Sequence, residues 1–217
     1  MDNLFLRRCL QQHPGVSNVL DIGCGMCSNL EATKAIFPKA NLYGVDISDT
    51  LSIPAGIRFC KVDIESQPLP FSDSCFDFII LTHVLEHLKS ASLLASEIER
   101  TLKEGGSVYA ESPNWTSMFV PSFNANRYMH GPFNFFDDNT HIRPWTKQSI
   151  FEFLHSCGLE AIKVRTVRRW SRFLLSPFLA PLYLLTKNRA KAIGVIWNLV
   201  GWSIYGTGKK MKRVCRT

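Results

Sequence analysis

The residues that could do chemistry begin with a glycine loop. Residues 17–22 read as a buried strand that stops at Gly23-Cys24-Gly25, and residues 29–37 read as a helix ended by Pro38. Glycines between a strand and a helix let the backbone approach a ligand closely and aim helix N–H groups at it. Asp46 lies 21 residues beyond Gly25, at the end of the next strand. A carboxylate at that place holds ribose hydroxyls. Loop, acid and strand–helix–strand context together point to an adenosine-containing cofactor. Six histidines, at 13, 83, 87, 130, 141 and 155, can move a proton near neutral pH.

Two patterns imitate metal sites. His83-Val84-Leu85-Glu86-His87 spells H-x-x-E-H, a zinc pattern that needs both histidines on one helix face. Here it straddles the end of a strand and the start of a helix, so no metal is expected. Cys24-Gly25-Met26-Cys27 spells C-x-x-C inside the glycine loop, with no second pair at ligand spacing, and is read as coincidence.

The elements that must position these groups alternate. Further strands are expected at 41–46, 57–63, 76–81 and 107–111, with 76–81 apolar enough to be buried on both faces. Residues 84–102 read as one long helix, with Leu85, Leu88, Leu93, Leu94, Ile98 and Leu102 near a 3.6-residue period, ended by Gly105-Gly106. Residues 112–145, rich in Pro, Asn, Phe and Trp, break the rhythm; a loop of that length inside a compact domain is usually functional. A helix over 146–157 and a sixth strand over 159–167 follow. The alternation implies an α/β fold, a doubly wound parallel sheet with helices on both faces.

The motifs resemble the class I S-adenosylmethionine-dependent methyltransferases. The likeness is carried by Val19-Leu20-Asp21-Ile22-Gly23-Cys24-Gly25, Gly44-Val45-Asp46-Ile47-Ser48, Val62-Asp63-Ile64, and Leu69-Pro70-Phe71 running on to Phe76-Asp77-Phe78-Ile79-Ile80. It continues through His83-Val84-Leu85-Glu86-His87-Leu88 and Glu99-Arg100-Thr101-Leu102-Lys103-Glu104-Gly105-Gly106. It covers about 17–167 and implies a Rossmann-like, seven-stranded, mostly parallel sheet with an antiparallel edge pair. By the resemblance, Gly23 and Gly25, with Cys24 between them, flank the methionine moiety of S-adenosylmethionine, and Asp21 lies near its ammonium. Asp46, next to Ile47, takes the ribose, while Asp63 and Ile64 bracket the adenine. The departure is Cys27, where the family often has a third glycine. In some lipid-quinone members, acid and His residues of the 83–88 segment hold a divalent ion.

Methyl transfer from a sulfonium is an in-line displacement, and a hydroxyl acceptor also needs a base. The resemblance places 112–145 over the acceptor pocket, which ranks His141 first as base. His83, after the fourth strand, comes second and His130 third, with Asp137 and Asp138 as further candidates. His87 is expected to serve packing.

Charge divides the chain. Residues 1–160 hold 12 Lys+Arg and 18 Asp+Glu, whereas 161–217 hold 13 Lys+Arg and no acid. A wholly basic tail implies an anionic partner. Residues 173–185 and 192–208 are uncharged stretches edged by Trp, Lys and Arg, too short or too interrupted to span a bilayer, and fit an interfacial anchor better than a cap on the core. Nucleic acid is the least suitable partner, because long apolar stretches separate the basic clusters. The expected organisation is a cofactor-binding core at 1–167, a basic, apolar, helical insertion at 168–205 and a last strand within 206–217. The start lacks an apolar leader and the cysteines lack a framework spacing, so a cytoplasmic, inner-face location is expected. The segment Asp138-Asn139-Thr140-His141-Ile142-Arg143-Pro144-Trp145-Thr146 resembles bacterial methyltransferases of surface-polysaccharide and glycolipid synthesis. That implies O-methylation of a sugar or lipid-linked glycan at the membrane; a prenyl-quinone or other small lipid is the rival acceptor. A non-catalytic cofactor binder that serves as an interaction protein is the rival outside the enzymes.

Overall fold

A computed structural model describes residues 3–48, 52–120, 134–186 and 189–212. Seven strands form one sheet: β1 (Asn18–Ile22), β2 (Asn41–Asp46), β3 (Ile57–Lys61), β4 (Phe76–Thr82), β5 (Leu102–Pro113), β6 (Glu160–Thr166) and β7 (Ser203–Lys209). Their spatial order is β3-β2-β1-β4-β5-β7-β6. β1 to β5 pair parallel, and β7 runs antiparallel to both β5 and β6. The sheet is therefore the expected doubly wound α/β type, and its antiparallel pairings lie at the β6 end.

Alternation along the strands divides the core into two faces. Leu20 and Ile22 of β1 pack with Ile79 and Leu81 of β4 on the face covered by α3 (Ser92–Thr101) and α4 (Lys147–Ser156). Val19, Phe78, Ile80 and Tyr109 point to the other face, covered by α1 (Leu4–Gln11) and α2 (Ser28–Ile36). Helix α1 has no counterpart among the elements read from the sequence, where Arg7 and Arg8 obscure its apolar side. Asn3 caps it by accepting from the Leu6 N–H at 3.0 Å. Leu6, Cys9 and Leu10 are its buried side, and each leucine contributes about 1.5–3 kcal/mol by leaving water.

One other element departs from expectation. The helix expected over 84–102 is divided: a 3-10 turn covers Leu85–His87, and α3 starts only at Ser92. Glu65 explains the break, because its carboxylate accepts the backbone N–H groups of Lys89 and Ser90 at 2.7 and 3.1 Å and holds them out of a helix. The insertion between β6 and β7 is helical, as expected, and folds as two packed helices, α5 (Trp170–Leu185) and α6 (Arg189–Val200). Helix α5 continues through Pro177 and Pro181, which lie four residues apart on one face, so the lost hydrogen bonds fall on that face alone. The last strand starts at Ser203, a few residues before the range expected for it.

Candidate active site

Parallel β1, β2, β3 and β4 bring their carboxyl ends to one edge, which is where ligands bind in such sheets. At the end of β1 the chain turns with Gly23 at φ +71° and Gly25 at φ +47°. The N–H groups of Gly23 and Cys24 both donate to the Val45 carbonyl, at 2.8 and 3.1 Å, tying the loop to β2. A side chain at Gly23 would put its Cβ 2.2 Å from Val84 Cγ2, whereas one at Gly25 would meet nothing within 4 Å. The space over Gly25 is thus open to a ligand. Cys27 adopts φ +59°, the backbone a glycine would take there, and starts α2 with no side-chain cap. Cys24 and Cys27 are buried free thiols, and burial pushes both pKa values up. Cys24 Sγ packs under Gly44, where a Cβ would approach it to 2.7 Å.

The acids of this edge differ in environment. Asp46 Oδ2 accepts the Gly25 N–H at 3.0 Å and Oδ1 accepts the Ser48 N–H at 3.0 Å, so it braces the loop directly. Ile47 beside it is largely exposed. Asp63 follows β3, accepts the Ser66 hydroxyl at 2.7 Å and the Glu65 N–H at 3.1 Å, and is held below the usual carboxylate range by those bonds. Ile64 next to it packs half-buried on the core. Asp21 is 0% exposed. Its Oδ2 accepts from Asn29 Nδ2 at 3.3 Å, while its Oδ1 has no hydrogen-bond partner among the described residues. Burial pushes its pKa to about 7, against the Asn29 hydrogen bond and with help from the Asp46 charge. A buried carboxylate oxygen lacking a donor beside an open glycine loop fits a cationic ligand group such as the ammonium of S-adenosylmethionine.

A cavity of about 350 Å³ adjoins these residues. Asn29 links the two, because the amide that reaches Asp21 also donates to Thr82 Oγ1 at 2.7 Å, and Asn29 and Thr82 both line the cavity. The polar wall also includes Asn3, His83, Glu111, Arg169, Asn198 and Ser203, while Phe5, Trp197 and Trp202 supply apolar surface. Trp197 and Trp202 stack at 4.9 Å. Glu111 Oε2 accepts from Asn3 Nδ2 at 2.9 Å and from the Tyr109 hydroxyl at 2.5 Å.

The three ranked histidines separate. His83 lines the cavity, adopts φ +55° at the end of β4, and keeps 46% of its side chain exposed. Its Nδ1 lies 3.2 Å from Oε1 of the fully buried Glu86, whose Oε2 accepts from Ser112 Oγ at 3.0 Å. Desolvation of the ring lowers its pKa, but the Glu86 hydrogen bond and charge, with Glu111, outweigh this and leave it raised. His141, ranked first, is only 4% exposed and does not line the cavity. Its Nδ1–H donates to the Phe135 carbonyl at 2.7 Å and its ring packs on Phe135 and His87. Residues 134–145 thus pack against the 83–88 turn, where the Ile142 N–H donates to the Glu86 carbonyl, instead of closing over the cavity. His130 lies outside the described residues. Asp137 caps a short 3-10 turn and Asp138 accepts from Thr140. His83 and His87 do not converge as H-x-x-E-H would require; Glu86, His87 and His141 instead bring one ligand atom each within 4.8 Å of one another.

Sequence reasoning missed Asn3, Asn29, Thr82, Glu111 and Trp197. Asn3 belongs to the undetected helix, and the others carry no motif. Comparison with known proteins decides the family: a model of the methyltransferase domain matches residues 3–164. The chain belongs to the class I S-adenosylmethionine-dependent methyltransferases. This methyltransferase is 31% identical over 98 residues to a ubiquinone/menaquinone biosynthesis C-methyltransferase of Desulfotalea psychrophila, covering 43% of this chain and 40% of that one. It is 25% identical over 153 residues to a demethylmenaquinone methyltransferase of Listeria monocytogenes, covering 63% of each. The chain therefore spans less than two thirds of either relative. A crystal structure of an S-adenosylmethionine-dependent methyltransferase from Archaeoglobus fulgidus superposes with a TM-score of 0.61 at 23% identity, covering 95% of this chain and 91% of that one.

Proposed function

We propose that the chain transfers the methyl group of S-adenosylmethionine to a small amphiphilic acceptor held in the cavity beside His83. One observation carries the reading: the Asn29 amide joins the partner-poor carboxylate of Asp21, on the glycine-loop side, to Thr82 in the wall of a cavity that His83 lines. A cofactor site and a proton acceptor are thereby held on either side of one hydrogen-bonded bridge.

Asp21 would receive the cofactor's ammonium, Gly25 and its neighbours would admit the methionine chain, and Asp46 and Asp63 would face the ribose and adenine. When bound, the cofactor supplies an electrophilic methyl on a sulfonium. His83 takes the proton of an acceptor hydroxyl, and Glu86 holds the ring and stabilises the imidazolium that forms. The acceptor's electron pair would take the methyl carbon as its bond to sulfur breaks, leaving S-adenosylhomocysteine, and Trp197 and Trp202 would hold the acceptor against the cavity wall.

A quinol ring suits this site. Once its hydroxyl has ionised to His83, the ring carbon beside it can take the methyl and then lose its own proton to solvent, which restores the aromatic ring. Its face can lie against the tryptophans, and two relatives are named for quinone methylation, one of them as a C-methyltransferase. A lipid-linked sugar is the second reading, and it rests on residues 138–146, none of which lines the cavity. The test is transfer of labelled methyl from S-adenosylmethionine to a demethylated quinol or to a glycolipid. We expect quinol labelling, with His83→Ala reducing turnover by about 10²–10⁴-fold at little change in cofactor affinity. Turnover that survives His83→Ala would remove His83 from the reaction. Labelling of the glycolipid alone would replace the quinol.

A further inference from the structure

The wall of the cavity leads to a surface that methyl transfer does not require. Helix α5 exposes Trp170, Leu174, Leu175, Pro177, Phe178, Pro181, Leu182 and Leu185. At 100° per residue these fall on a single arc, with buried Ser176 and the partly buried Phe173, Leu179, Ala180 and Tyr183 on the opposite side against the molecule. The exposure is extensive: Trp170 is 68% exposed, Phe178 76% and Leu185 81%. Water does not favour so continuous an apolar stripe, and stripes of this kind mark interaction surfaces.

Charge identifies the occupant. Residues 173–185 contain no charged side chain, while Arg168, Arg169 and Arg172 precede them and Lys187, Arg189 and Lys191 follow. Arg169, just before the helix, is exposed, and Lys191 of α6 is exposed with its ammonium over the Tyr183 ring. With no acid anywhere in 161–217, the stripe is framed by cations alone. A protein partner would have to combine an apolar groove with acidic rims, whereas an anionic bilayer presents hydrocarbon below a layer of negative headgroups everywhere on its surface. Among the described residues, no helix is long and apolar enough to cross a membrane. At 16 residues α5 is about 24 Å long. It suits the plane of the interface, with Trp170 at headgroup level.

We propose that the exposed face of α5 docks on an anionic lipid bilayer and lies in the plane of its interface. The docking surface adjoins the cavity: Arg169 lines the cavity and Trp170, the next residue, begins the stripe. The junction is rigid, because the Arg168 guanidinium donates to the carbonyls of Asn198 and Leu199, and the Arg169 N–H donates to Asn198 Oδ1 at 2.6 Å. An acceptor dissolved in the bilayer would therefore meet the cavity without crossing bulk water.

The test is sedimentation of the full chain with vesicles of phosphatidylcholine, with and without about a third phosphatidylglycerol. We expect binding to the anionic vesicles, at least tenfold weaker binding to neutral ones, and a comparable loss on adding 0.5 M salt, beyond which charges are screened within roughly 4–5 Å. The triple variant Leu174→Ser, Phe178→Ser, Leu182→Ser should bind anionic vesicles at least tenfold more weakly while keeping the wild-type melting temperature and S-adenosylmethionine affinity. Brominated lipids provide a readout in the intact chain: they should quench tryptophan emission, and Trp170→Phe should remove most of that quenching. No binding to anionic vesicles, or undiminished binding and quenching in these variants, would overturn the proposal. A wild-type dimer dispersed by the triple variant, without vesicle binding, would reassign the face to a second copy of the chain. Failure of vesicle binding with labelled-methyl transfer intact would leave the catalytic reading in place.

Discussion

Asp21 has the most testable electrostatics in the molecule. Its folded-state pKa of about 7 means that the free protein holds a proton there through the mildly acidic range. Burial disfavours the ionised form, so this group makes the apo-protein progressively less stable as pH rises from its unfolded value near 4 towards 7, and has no further effect above that. A cationic ligand group reverses the preference, because it favours the carboxylate. Affinity for S-adenosylmethionine is therefore expected to rise about tenfold per pH unit below 7 and to level off above it. Calorimetric titration between pH 5.5 and 8 measures the slope, and Asp21→Asn should bind weakly with the slope gone. An unchanged slope in that variant, lost instead in His83→Ala, would transfer the proton to His83. The glycine loop and Asp46 are legible in strand–loop–helix spacing, whereas Asp21 enters only through the family resemblance. The position of His83 could not be separated from that of His141, because proximity to the cavity depends on how 134–145 packs. That packing turns on backbone contacts to Glu86 and Phe135 that no residue pattern records.

The glycine loop behaves as two different devices along one turn. Gly23 needs both its positive φ and its missing side chain, since Val84 occupies the space a Cβ would take. Gly25 needs only the backbone conformation, and its open side faces the ligand. Gly23→Ala should therefore lower stability by more than the roughly 1–2 kcal/mol that left-handed backbone alone costs an L-residue, because Val84 must also move. Gly25→Ala should cost about that backbone term and act mainly on cofactor affinity. Paired melting curves and calorimetric titrations separate the two, and equal losses of stability would contradict this division. At the same scale, the parallel strands and α2, α4 and β6 were readable from periodicity and turn residues. Helix α1 was not, since the segment is only eight residues long and Arg7 and Arg8 interrupt its apolar side; its cap, Asn3, also reaches Glu111, more than a hundred positions away. The break between Leu88 and Ala91 was invisible for a similar reason: the Glu65 carboxylate that causes it comes from another loop.

Across the whole molecule, the acidic core and the cationic α5–α6 region meet through β7. Ser203–Lys209 pairs with β5 on one side and β6 on the other, with Glu111 opposite Tyr205. The two helices are thus inserted between strands of the catalytic sheet and are not a detachable tail. A chain of residues 1–202 is expected to lose cooperative melting and to bind hydrophobic dyes, because the β5 edge would lie open and β6 would have nothing to pair with. Native-like melting of that fragment would show that the sheet closes without β7. The charge division itself was plain from composition, but composition does not state that the basic segment also supplies the tryptophans of the cavity.

The interior place of β7 has a consequence for how the protein is made. A ribosome delivers α5 and α6 before it delivers the strand that fastens them to the sheet. For that interval β5 presents unpaired N–H and C=O groups while the apolar face of α5 is already outside the exit tunnel. The sheet then closes by pairing β7 with β5 about a hundred residues back in the chain, a long loop to close and so a late, slow step. Nascent chains are consequently most exposed to misassembly between the emergence of α5 and that of β7, and chaperone demand should peak in that interval.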